Sequence, residues 1–248
     1  EAIEAARPED PFLLLFTSGT TASPKATLHT HAMRLGNARL IARDVGWSAE
    51  DRVVSIARWS HMWGVMTYWM SLWVGASQVL LPGYSGDALA DVVSRHQATV
   101  AIGAPPHVAD LLARPELATR FASLRLFLLS GSVCPPALVR GLREAVGCTP
   151  LMLWGMTETA GGIYTRPDDP AQVVEETVGR VTPGCAIAVL DETGRALLPG
   201  DEGELAIRSP FAFEGYVNNP AATAESFTGY GALIALMATF LAYWLNGN

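Results

Sequence analysis

The stretch over residues 17–26, which reads TSGTTASPKA, holds the side chains with the clearest capacity for chemistry. An apolar run over residues 11–16 leads into it, and Lys25 supplies a full positive charge near its end. Hydroxyl groups and backbone N–H groups can donate to phosphate oxygens, and Gly19 lets the backbone approach an anion closely. The hydroxyl donors are Thr17, Ser18, Thr20 and Thr21. We therefore expect a loop that wraps a phosphate.

The generic phosphate loop G-x-x-x-x-G-K-[ST] does not fit this stretch. If Gly19 is its first glycine and Lys25 its lysine, the second glycine falls on Pro24. Proline has no N–H to offer a phosphate, and Ala26 stands where the pattern needs Ser or Thr. The stretch is therefore a phosphate loop of another kind or, in the plain structural interpretation, a surface turn rich in Ser and Thr.

Two other stretches follow predicted strands. The small residues Ser130, Gly131 and Ser132 come directly after an apolar run over residues 124–129 and permit close approach of a flat ring. This signal is weak by itself, because any turn between a strand and a helix can have such residues.

The second stretch, residues 154–159, follows a predicted strand over residues 150–153. Trp154 can stack on a base, and Thr157 can donate to a phosphate oxygen. Glu158 can hold Mg²⁺, a hard cation that prefers carboxylate and phosphate oxygens. The structural alternative is an N-capping threonine followed by an acidic first helical turn.

The order of apolar runs and helical patterns predicts an α/β fold. The predicted strands cover residues 11–16, 52–57, 77–81, 98–103, 124–129 and 150–154. The first predicted helix lies within residues 27–42, with Thr30 as its N-cap, and the other predicted helices cover residues 65–73, 87–96, 106–112 and 135–146. Strands separated by helices pair in parallel, and ligands bind at the carboxyl ends of such strands.

The pattern changes after about Thr177 to short strand candidates over residues 178–181, 186–190, 195–198 and 203–208. We therefore expect an α/β region over 11–176, a small β-barrel-like subdomain over 177–228 and an apolar tail over 229–248. The apolar part of the tail is shorter than the roughly 20 residues that a membrane span needs. A buried helix and out-of-frame sequence are the two interpretations of this tail.

Composition excludes several classes of protein. The chain has 248 residues, half of them apolar, and a formal net charge of −7, so nucleic acid is not expected as its main partner. Its three cysteines, Cys134, Cys148 and Cys185, form no C-x-x-C pair and favour a reducing cytoplasm. The first ten residues lack the apolar core of a signal peptide.

These stretches together resemble the adenylate-forming superfamily, which includes acyl-CoA synthetases, peptide-synthetase adenylation domains and luciferases. Residues 17–26 match its pattern T-S-G-[ST]-T-G-x-P-K-G except at Ala22 and Ala26, where glycine is usual. Residues 154–158 match its motif [YW]-G-x-T-E, and residues 130–132 resemble its glycine-rich loop on the adenine side.

The resemblance extends from about Pro11 to Phe227. In the β subdomain it includes Gly203-Glu204-Leu205 and Gly215-Tyr216, residues that mostly hold strands and turns together. It implies a partial large N-terminal domain with an acyl-CoA synthetase-like fold, with ATP and Mg²⁺ as ligands and coenzyme A as co-substrate.

The resemblance also implies roles for particular residues. The catalytic residues that it implies are Lys25, Thr157 and Glu158. The nucleotide-binding residues are Thr17, Ser18, Gly19, Thr20, Thr21, Lys25, Ser130, Gly131, Ser132, Trp154, Gly155, Met156 and Thr157. The Mg²⁺ ligand is Glu158, with Thr20 as a second candidate.

The substrate pocket is assigned to His61, Trp63 and Gly64, which resemble the family's P-x-x-H-x-x-G segment. Bulky apolar neighbours, and the lack of an obvious acidic residue to hold an ammonium group, favour a hydrophobic acid of the fatty or aromatic kind. The alternatives are a structural histidine and an aromatic stripe that is ordinary core.

The implied activity is the ATP-dependent conversion of this acid to an acyl-adenylate and then to an acyl-CoA thioester. The family's T-G-D aspartate and a second lysine, from a mobile C-terminal domain, do not occur in this sequence. The isolated chain is therefore expected to be weakly active or inactive. A non-catalytic nucleotide-binding fragment or pseudoenzyme, an amino-acid adenylation segment and a membrane-tethered module are the alternatives.

Overall fold

The computed structural model describes residues 5–17, 24–227 and 233–234. Its strands are β1 (Pro11–Thr17), β2 (Lys25–Thr30), β3 (Arg52–Ser55), β4 (Ser77–Val79), β5 (Val100–Gly103), β6 (Leu126–Leu129), β7 (Thr149–Met156), β8 (Ala160–Tyr164), β9 (Arg180–Val181), β10 (Ala186–Leu190), β11 (Glu204–Arg208) and β12 (Leu233–Ile234). Its α-helices are α1 (His31–Asp44), α2 (Met62–Val74), α3 (Gly86–His96), α4 (Pro105–Leu112), α5 (Pro136–Val146), α6 (Ala171–Glu176) and α7 (Pro220–Ser226), and a 3₁₀ helix covers Pro115–Phe121.

The chain divides into two compact units that are not contiguous in sequence. The first takes its described residues from 1–37, 156–162 and 181–248, and the second consists of residues 38–155 and 163–180. These packing units differ from the sequential division at residues 176 and 177 that composition suggests, and that division stays a prediction.

A parallel sheet organises the second unit, as the alternation of strands and helices predicts. Its order is β4-β3-β5-β6-β7 with parallel pairing throughout, and β8 and β9 extend it. All residues of β5 and β6 are buried. Both strands are continuously apolar because helices cover both faces of such a sheet. Each buried Leu, Ile or Phe there contributes about 1.5–3 kcal/mol relative to exposure.

Helix termini in this unit follow local sequence signals. The Ser85 side chain accepts from the backbone N–H of Ala88 and caps α3. Gly147 ends α5 with φ of 79°, a left-handed conformation that glycine adopts without steric cost, and it confirms the predicted stop. These helices are therefore fixed at their ends as well as by their packing on the sheet.

A buried carboxylate joins the amino-terminal ends of the strands. Asp51 accepts from Thr99 Oγ1 at 2.7 Å and from Arg125 Nε at 2.8 Å, and it is 2 % exposed. Burial by itself would raise the pKa of Asp51, but hydrogen bonds from Arg125, Ser48 and Thr99 hold it below its usual value. This contact fixes the amino-terminal edge of the sheet, opposite to the carboxyl edge at which open α/β sheets generally bind ligands.

The first unit begins with a hairpin that the sequence analysis does not predict. β1 and β2 pair antiparallel as a two-stranded hairpin, whereas the strand β2 over Lys25–Thr30 is not among the predicted elements. The helix α1 begins at His31, and Thr30 Oγ1 accepts from Met33 N, so the predicted N-cap is confirmed. The sequence does not predict β2 because its pattern of polar and apolar residues is the reverse of the usual one. Its buried residues are the polar Thr27 and His29.

The opposite face of this hairpin is apolar and exposed. Leu14 and Leu28 are cross-strand partners and are 46 % and 38 % exposed, and Phe16 is 67 % exposed. The expectation of a buried strand over residues 11–16 is therefore wrong, since Leu15 is the buried aliphatic residue of β1.

Later elements also depart from expectation. Residues 195–198 form no strand, and only an isolated bridge joins Ala196 to Leu190. The elements β8, α6 and α7 have no counterpart in the sequence prediction. β10, β11 and β12 form a three-stranded antiparallel sheet, in which β12 comes from the apolar tail. The rest of that tail lies outside the described residues.

Two further findings concern the described part of the chain. None of its helices combines the length and the apolar character that crossing a bilayer requires. Cys134, Cys148 and Cys185 are free thiols, and burial raises the pKa of Cys148 to about 12.

The ionisation of His29 links the stability of the hairpin to pH. Burial, and secondarily the charge of Arg34, lowers the pKa of His29 from 6.5 to about 3. Between those values the unfolded chain binds a proton that the folded chain does not, so the free energy of unfolding falls as pH falls. From about pH 8 to about pH 5 the loss attributable to His29 should be about 2 kcal/mol.

Urea unfolding at the two pH values, for the wild type and His29→Gln, measures this loss. We expect His29→Gln to remove about 2 kcal/mol of the pH-dependent change, and the control His96→Gln, at an exposed histidine, to leave it in place. An identical pH dependence in His29→Gln and the wild type would contradict the assignment.

Candidate functional site

The predicted phosphate loop connects the two strands of the hairpin. Thr17 and Lys25 are cross-strand partners at its open end. The predicted ligands Ser18, Gly19, Thr20 and Thr21 lie outside the described residues, so the structure leaves their role as a prediction. The loop therefore belongs to an antiparallel hairpin of the first unit and does not follow a strand of the parallel sheet, which corrects the expected placement.

The second predicted motif forms a tight turn, which we call the acidic turn and define as residues 157–159. It joins β7 to β8, so the alternative of an N-cap with an acidic first helical turn is wrong. Thr159 N donates to Met156 O, and Met156 N donates to Thr159 Oγ1, both at 3.3 Å. Ala160 then has φ of 57°, a left-handed conformation that costs on the order of 1 kcal/mol in a non-glycine residue. The backbone around Glu158 is thus sharply constrained.

Tyr216 brings the two motifs of the first unit together. Its hydroxyl donates to Glu158 Oε1 at 2.6 Å, and Lys25 Nζ lies 4.9 Å from the centroid of its ring. Burial, followed by the Glu158 carboxylate, raises the pKa of Tyr216, so the phenol stays protonated and donates. The lysine and the carboxylate that the sequence analysis singled out therefore contact one side chain.

The Glu158 carboxylate is buried without a cationic partner among the described residues. It is 7 % exposed, and Tyr216 provides its one side-chain hydrogen bond within that part of the chain. A buried carboxylate is ordinarily paired with a cation or bound to a metal ion. The environment of Glu158 is therefore that of a carboxylate that binds a cation.

The donor set around Glu158 suits a cation that is shared with a substrate. Within the described ranges no three His, Cys, Asp or Glu side chains gather as a metal site. Mg²⁺ keeps few protein ligands and takes its remaining ligands from water and phosphate oxygens. One buried carboxylate that shares Tyr216 as a contact with a lysine therefore fits Mg²⁺ bound together with a nucleotide, and it does not fit an all-protein metal cage.

The other predicted nucleotide contacts lie in the second unit. Ser130, Gly131 and Ser132 follow β6, and Trp154 and Gly155 lie near the carboxyl end of β7. β6 and β7 are parallel neighbours with Leu129 opposite Met152, so both groups lie at the carboxyl edge of one sheet. Ligands bind at that edge in open α/β sheets.

The geometry at this edge leaves room for a flat group. Gly131 is exposed with φ of 95°, and a Cβ built on it would have no described atom within 4 Å. The Trp154 side chain is half-buried, and its neighbour Gly155 is exposed. These features agree with stacking on a base, and the assignment of these residues stays a prediction.

The residues assigned to the acid pocket have structural explanations here. His61 is exposed, and its Nδ1 accepts from Trp63 N at 3.2 Å as the N-cap of α2. A Cβ on Gly64 would lie 2.2 Å from Arg58 O, so the glycine is needed for the packing of its own loop. Trp63 is 7 % exposed, and its Nε1 has no hydrogen-bond partner in the described part. A pocket role for the three residues stays a prediction.

Tyr216 is the residue of this site that the sequence does not reveal. Its motif, Gly215-Tyr216, has no charge and no metal-ligating group, and it lies 58 residues beyond Glu158. A tyrosine in a turn is typical of ordinary packing, so its contact with the carboxylate emerges only from the fold.

Comparison with known proteins identifies the family. The model of the AMP-binding enzyme family matches residues 1–217, so the chain belongs to that family, and the resemblance to adenylate-forming enzymes is confirmed. Among curated relatives, the medium-chain fatty-acid–CoA ligase of Escherichia coli is 31 % identical over 220 residues, which cover 88 % of this chain and 39 % of the relative. The indoleacetate–CoA ligase of Aromatoleum aromaticum is 29 % identical, with 88 % and 43 % covered.

Another relative, the salicyl-AMP ligase / salicyl-S-ArCP synthetase of Mycobacterium tuberculosis, is 34 % identical, with 85 % of this chain and 38 % of the relative covered. The chain thus spans less than half the length of the curated relatives it matches.

Solved structures agree on the fold. The anthranilate CoA ligase AuaEII in complex with anthranoyl-AMP superposes with a TM-score of 0.86 at 28 % identity, and the match covers 94 % of this chain and 46 % of that one. ATP-bound MatB from Rhodopseudomonas palustris gives a TM-score of 0.83 at 28 % identity, with 90 % and 44 % covered. The predicted α/β class, a parallel sheet layered with helices, is confirmed.

Lys25 is the one lysine in the sequence, so the reactivity of its amine can be measured without interference from other side-chain amines. We predict that Mg·ATP protects Lys25 from an amine-reactive reagent, because an amine held against phosphate is not free to react. With ATP at about ten times its Kd, mass action should slow the labelling about tenfold.

Peptide mass spectrometry over time measures the labelling rate, and the α-amino group of the chain is the internal control that ATP should not protect. An unchanged Lys25 labelling rate, under conditions where ATP binding is measured directly, would exclude Lys25 from the nucleotide site.

Proposed function

We propose that this chain is the nucleotide-binding part of an acid–thiol ligase, which activates a hydrophobic carboxylic acid as an acyl-adenylate and then transfers it to coenzyme A. The observation that carries the proposal is the convergence of Lys25 and buried Glu158 on Tyr216 in a member of the AMP-binding enzyme family. A cationic side chain that makes no ion pair among the described residues and a carboxylate suited to a cation are what a triphosphate requires.

The first proposed step is attack of a substrate carboxylate oxygen on the α-phosphorus of ATP. The bond from that phosphorus to the bridging oxygen breaks, and pyrophosphate leaves with the electron pair. In this step Lys25 would contact a phosphate oxygen, Thr157 would donate to another, and Glu158 would hold Mg²⁺. Bound Mg²⁺ would offset the negative charge of the phosphates, which is the main barrier to such a transfer.

In the second proposed step, a thiolate sulfur attacks the acyl carbonyl carbon. The bond from that carbon to the adenylate oxygen breaks, and AMP leaves as the anion. Coenzyme A is the proposed thiol because the curated relatives include an indoleacetate–CoA ligase and a medium-chain fatty-acid–CoA ligase.

A hydrophobic acid is proposed as the substrate class. α2 carries a dense set of large apolar side chains near the carboxyl end of β3, which includes buried Met62, Trp63, Val65 and Met66. The relatives' names point to apolar acids as well, namely indoleacetate, medium-chain fatty acids and anthranilate. A relative named sulfoacetate–CoA ligase shows that the wider group is not confined to such acids.

A non-catalytic nucleotide-binding protein is the second candidate function. The observation that favours it is that two residues assigned to the acid pocket have structural explanations, His61 as the N-cap of α2 and Gly64 in the packing of its own loop. An amino-acid adenylation segment has support from the non-ribosomal peptide synthetase CymA of Salinispora arenicola, which is 30 % identical over 221 residues.

Removal of either charged group should weaken nucleotide binding. We predict that Lys25→Met and Glu158→Gln each reduce the free energy of Mg·ATP binding by about 1.5–3 kcal/mol, the usual worth of a hydrogen bond to a charged group. Isothermal calorimetry measures the affinity, and Glu175→Gln, on a carboxylate that pairs with Arg140 and Arg143 in the second unit, is the matched control. Affinity equal to that of the wild type in both variants would refute the site assignment.

Catalysis by the isolated chain should be weak or absent. ATP–pyrophosphate exchange with octanoate, phenylacetate or benzoate as the acid should stay near background while Mg·ATP still binds, because no second lysine is present to stabilise the transferred phosphate. Exchange at the rate of a complete ligase would show that this chain is sufficient for adenylation and would overturn the prediction.

A further inference from the structure

A short segment ties the two charged motifs of the first unit to each other. We call residues 213–217 the strap. At one end Val217 N donates to Ala26 O at 2.9 Å, beside an antiparallel bridge between Thr27 and Tyr216. At the other end Phe213 N donates to Glu158 O at 2.8 Å. The backbone of the strap is therefore hydrogen-bonded both to the strand that carries Lys25 and to the acidic turn.

The strap is held rigidly from its other side. Tyr216 N donates to Thr223 Oγ1 at 2.9 Å, and that hydroxyl in turn donates to Asn219 O at 2.9 Å. A Cβ on Gly215 would come within 2.7 Å of Thr223 Cγ2, so only glycine lets the strap pack so closely against α7. Phe213, 2 % exposed, packs edge-on against Tyr216 with ring centroids 4.8 Å apart. The tyrosine ring consequently has little freedom to move.

Each part of the Tyr216 side chain contacts a different charged group. The hydroxyl engages Glu158 Oε1, while no described residue donates to Oε2 of the same carboxylate. The ring face lies against Lys25 Nζ, a contact in which the electron-rich face attracts the ammonium group. Within the described part of the chain Lys25 makes no ion pair, so its amine is available to an anion.

We propose that Tyr216 is a positioning residue, whose hydroxyl orients the Glu158 carboxylate for a divalent cation and whose ring seats Lys25 for the phosphate. The inference rests on the proposed nucleotide site and deepens it, because it states how cation and phosphate binding are coupled. The strap holds Glu158 and Lys25 at fixed positions relative to each other. A metal ion would therefore contact Glu158 while the phosphate bound to that ion contacts Lys25.

The two contacts can be separated by mutation. Tyr216→Phe keeps the ring under Lys25 but leaves the buried carboxylate without its hydrogen bond. Tyr216→Leu removes both contacts. The matched control is Tyr164→Phe, which also deletes a hydroxyl that a buried tyrosine donates to a carboxylate, Asp44 at 2.9 Å, but in the second unit.

The experiment measures ATP affinity of the 248-residue chain in EDTA and then titrates Mg²⁺ at fixed ATP. We expect Tyr216→Phe to raise the half-saturating Mg²⁺ concentration about tenfold, the scale of one hydrogen bond to a charged group, while metal-free ATP affinity stays within about twofold of the wild type. Tyr216→Leu should weaken both quantities, and Tyr164→Phe should change neither. In a Glu158→Gln background, Tyr216→Phe should have no further effect on Mg²⁺.

Three outcomes would overturn the inference. The first is a half-saturating Mg²⁺ concentration in Tyr216→Phe equal to that of the wild type. The second is an equal loss of metal-free and metal-dependent affinity, which is what a purely structural role predicts. The third is a full effect of Tyr216→Phe in the Glu158→Gln background. A wild-type chain that binds no ATP under either condition would instead refute the proposed function itself. Circular dichroism of each variant confirms that it is folded, and Tyr216→Leu provides a second test if Tyr216→Phe is not.

Discussion

A carboxylate that leaves water must be compensated, and the first unit is organised around that requirement. Glu158 lies in a turn whose backbone is constrained from both sides, with a left-handed alanine after it. Among the residues that the structure describes, the side-chain partner of its carboxylate is a neutral phenol, which satisfies one oxygen but does not cancel the charge. The hairpin, the acidic turn and the strap together bring a carboxylate and an amine to opposite parts of one tyrosine side chain, its hydroxyl and its ring face.

In the second unit, the main structural requirement is to hold the ends of parallel strands at fixed positions. Asp51 ties together the amino-terminal ends by its bonds to Thr99 and Arg125. Continuous apolar strands, buried on both faces, fix the middle of the sheet. Short turns of small residues follow the carboxyl ends of the strands, and a ligand can approach the backbone at these turns.

Much of the second unit is predictable from the sequence because local signals and tertiary structure agree there. The runs at β5 and β6 are apolar without interruption, and Gly147 ends α5 as its position indicates. The hairpin is not predictable in this way, because its buried face is polar and its apolar face is exposed. Hydrophobic alternation indicates the wrong face when hydrogen bonding, as between Thr27 and His29, replaces apolar burial.

The candidate site likewise contains residues that the sequence reveals and residues that it does not. Lys25 and Glu158 stand out in the sequence because each is a charged residue within a short stretch rich in hydroxyl side chains. β8 is short and contains two glycines, and α7 contains alanines and a proline but little periodicity, so neither gives a clear signal. Tyr216 depends on both elements for its position, since α7 supports the strap and the turn before β8 presents the carboxylate. A contact between positions so far apart in the chain is a property of the fold.

The outer surface of the hairpin has a consequence for how the molecule behaves in concentrated solution. Leu14, Phe16 and Leu28 form an apolar face on a sheet of only two strands. Such a face offers both hydrophobic area and the flat backbone that strands of another molecule can stack against. This face is therefore one surface through which copies of the molecule can associate, and a polar residue at Phe16, its most exposed side chain, is the single change that removes most of its apolar area.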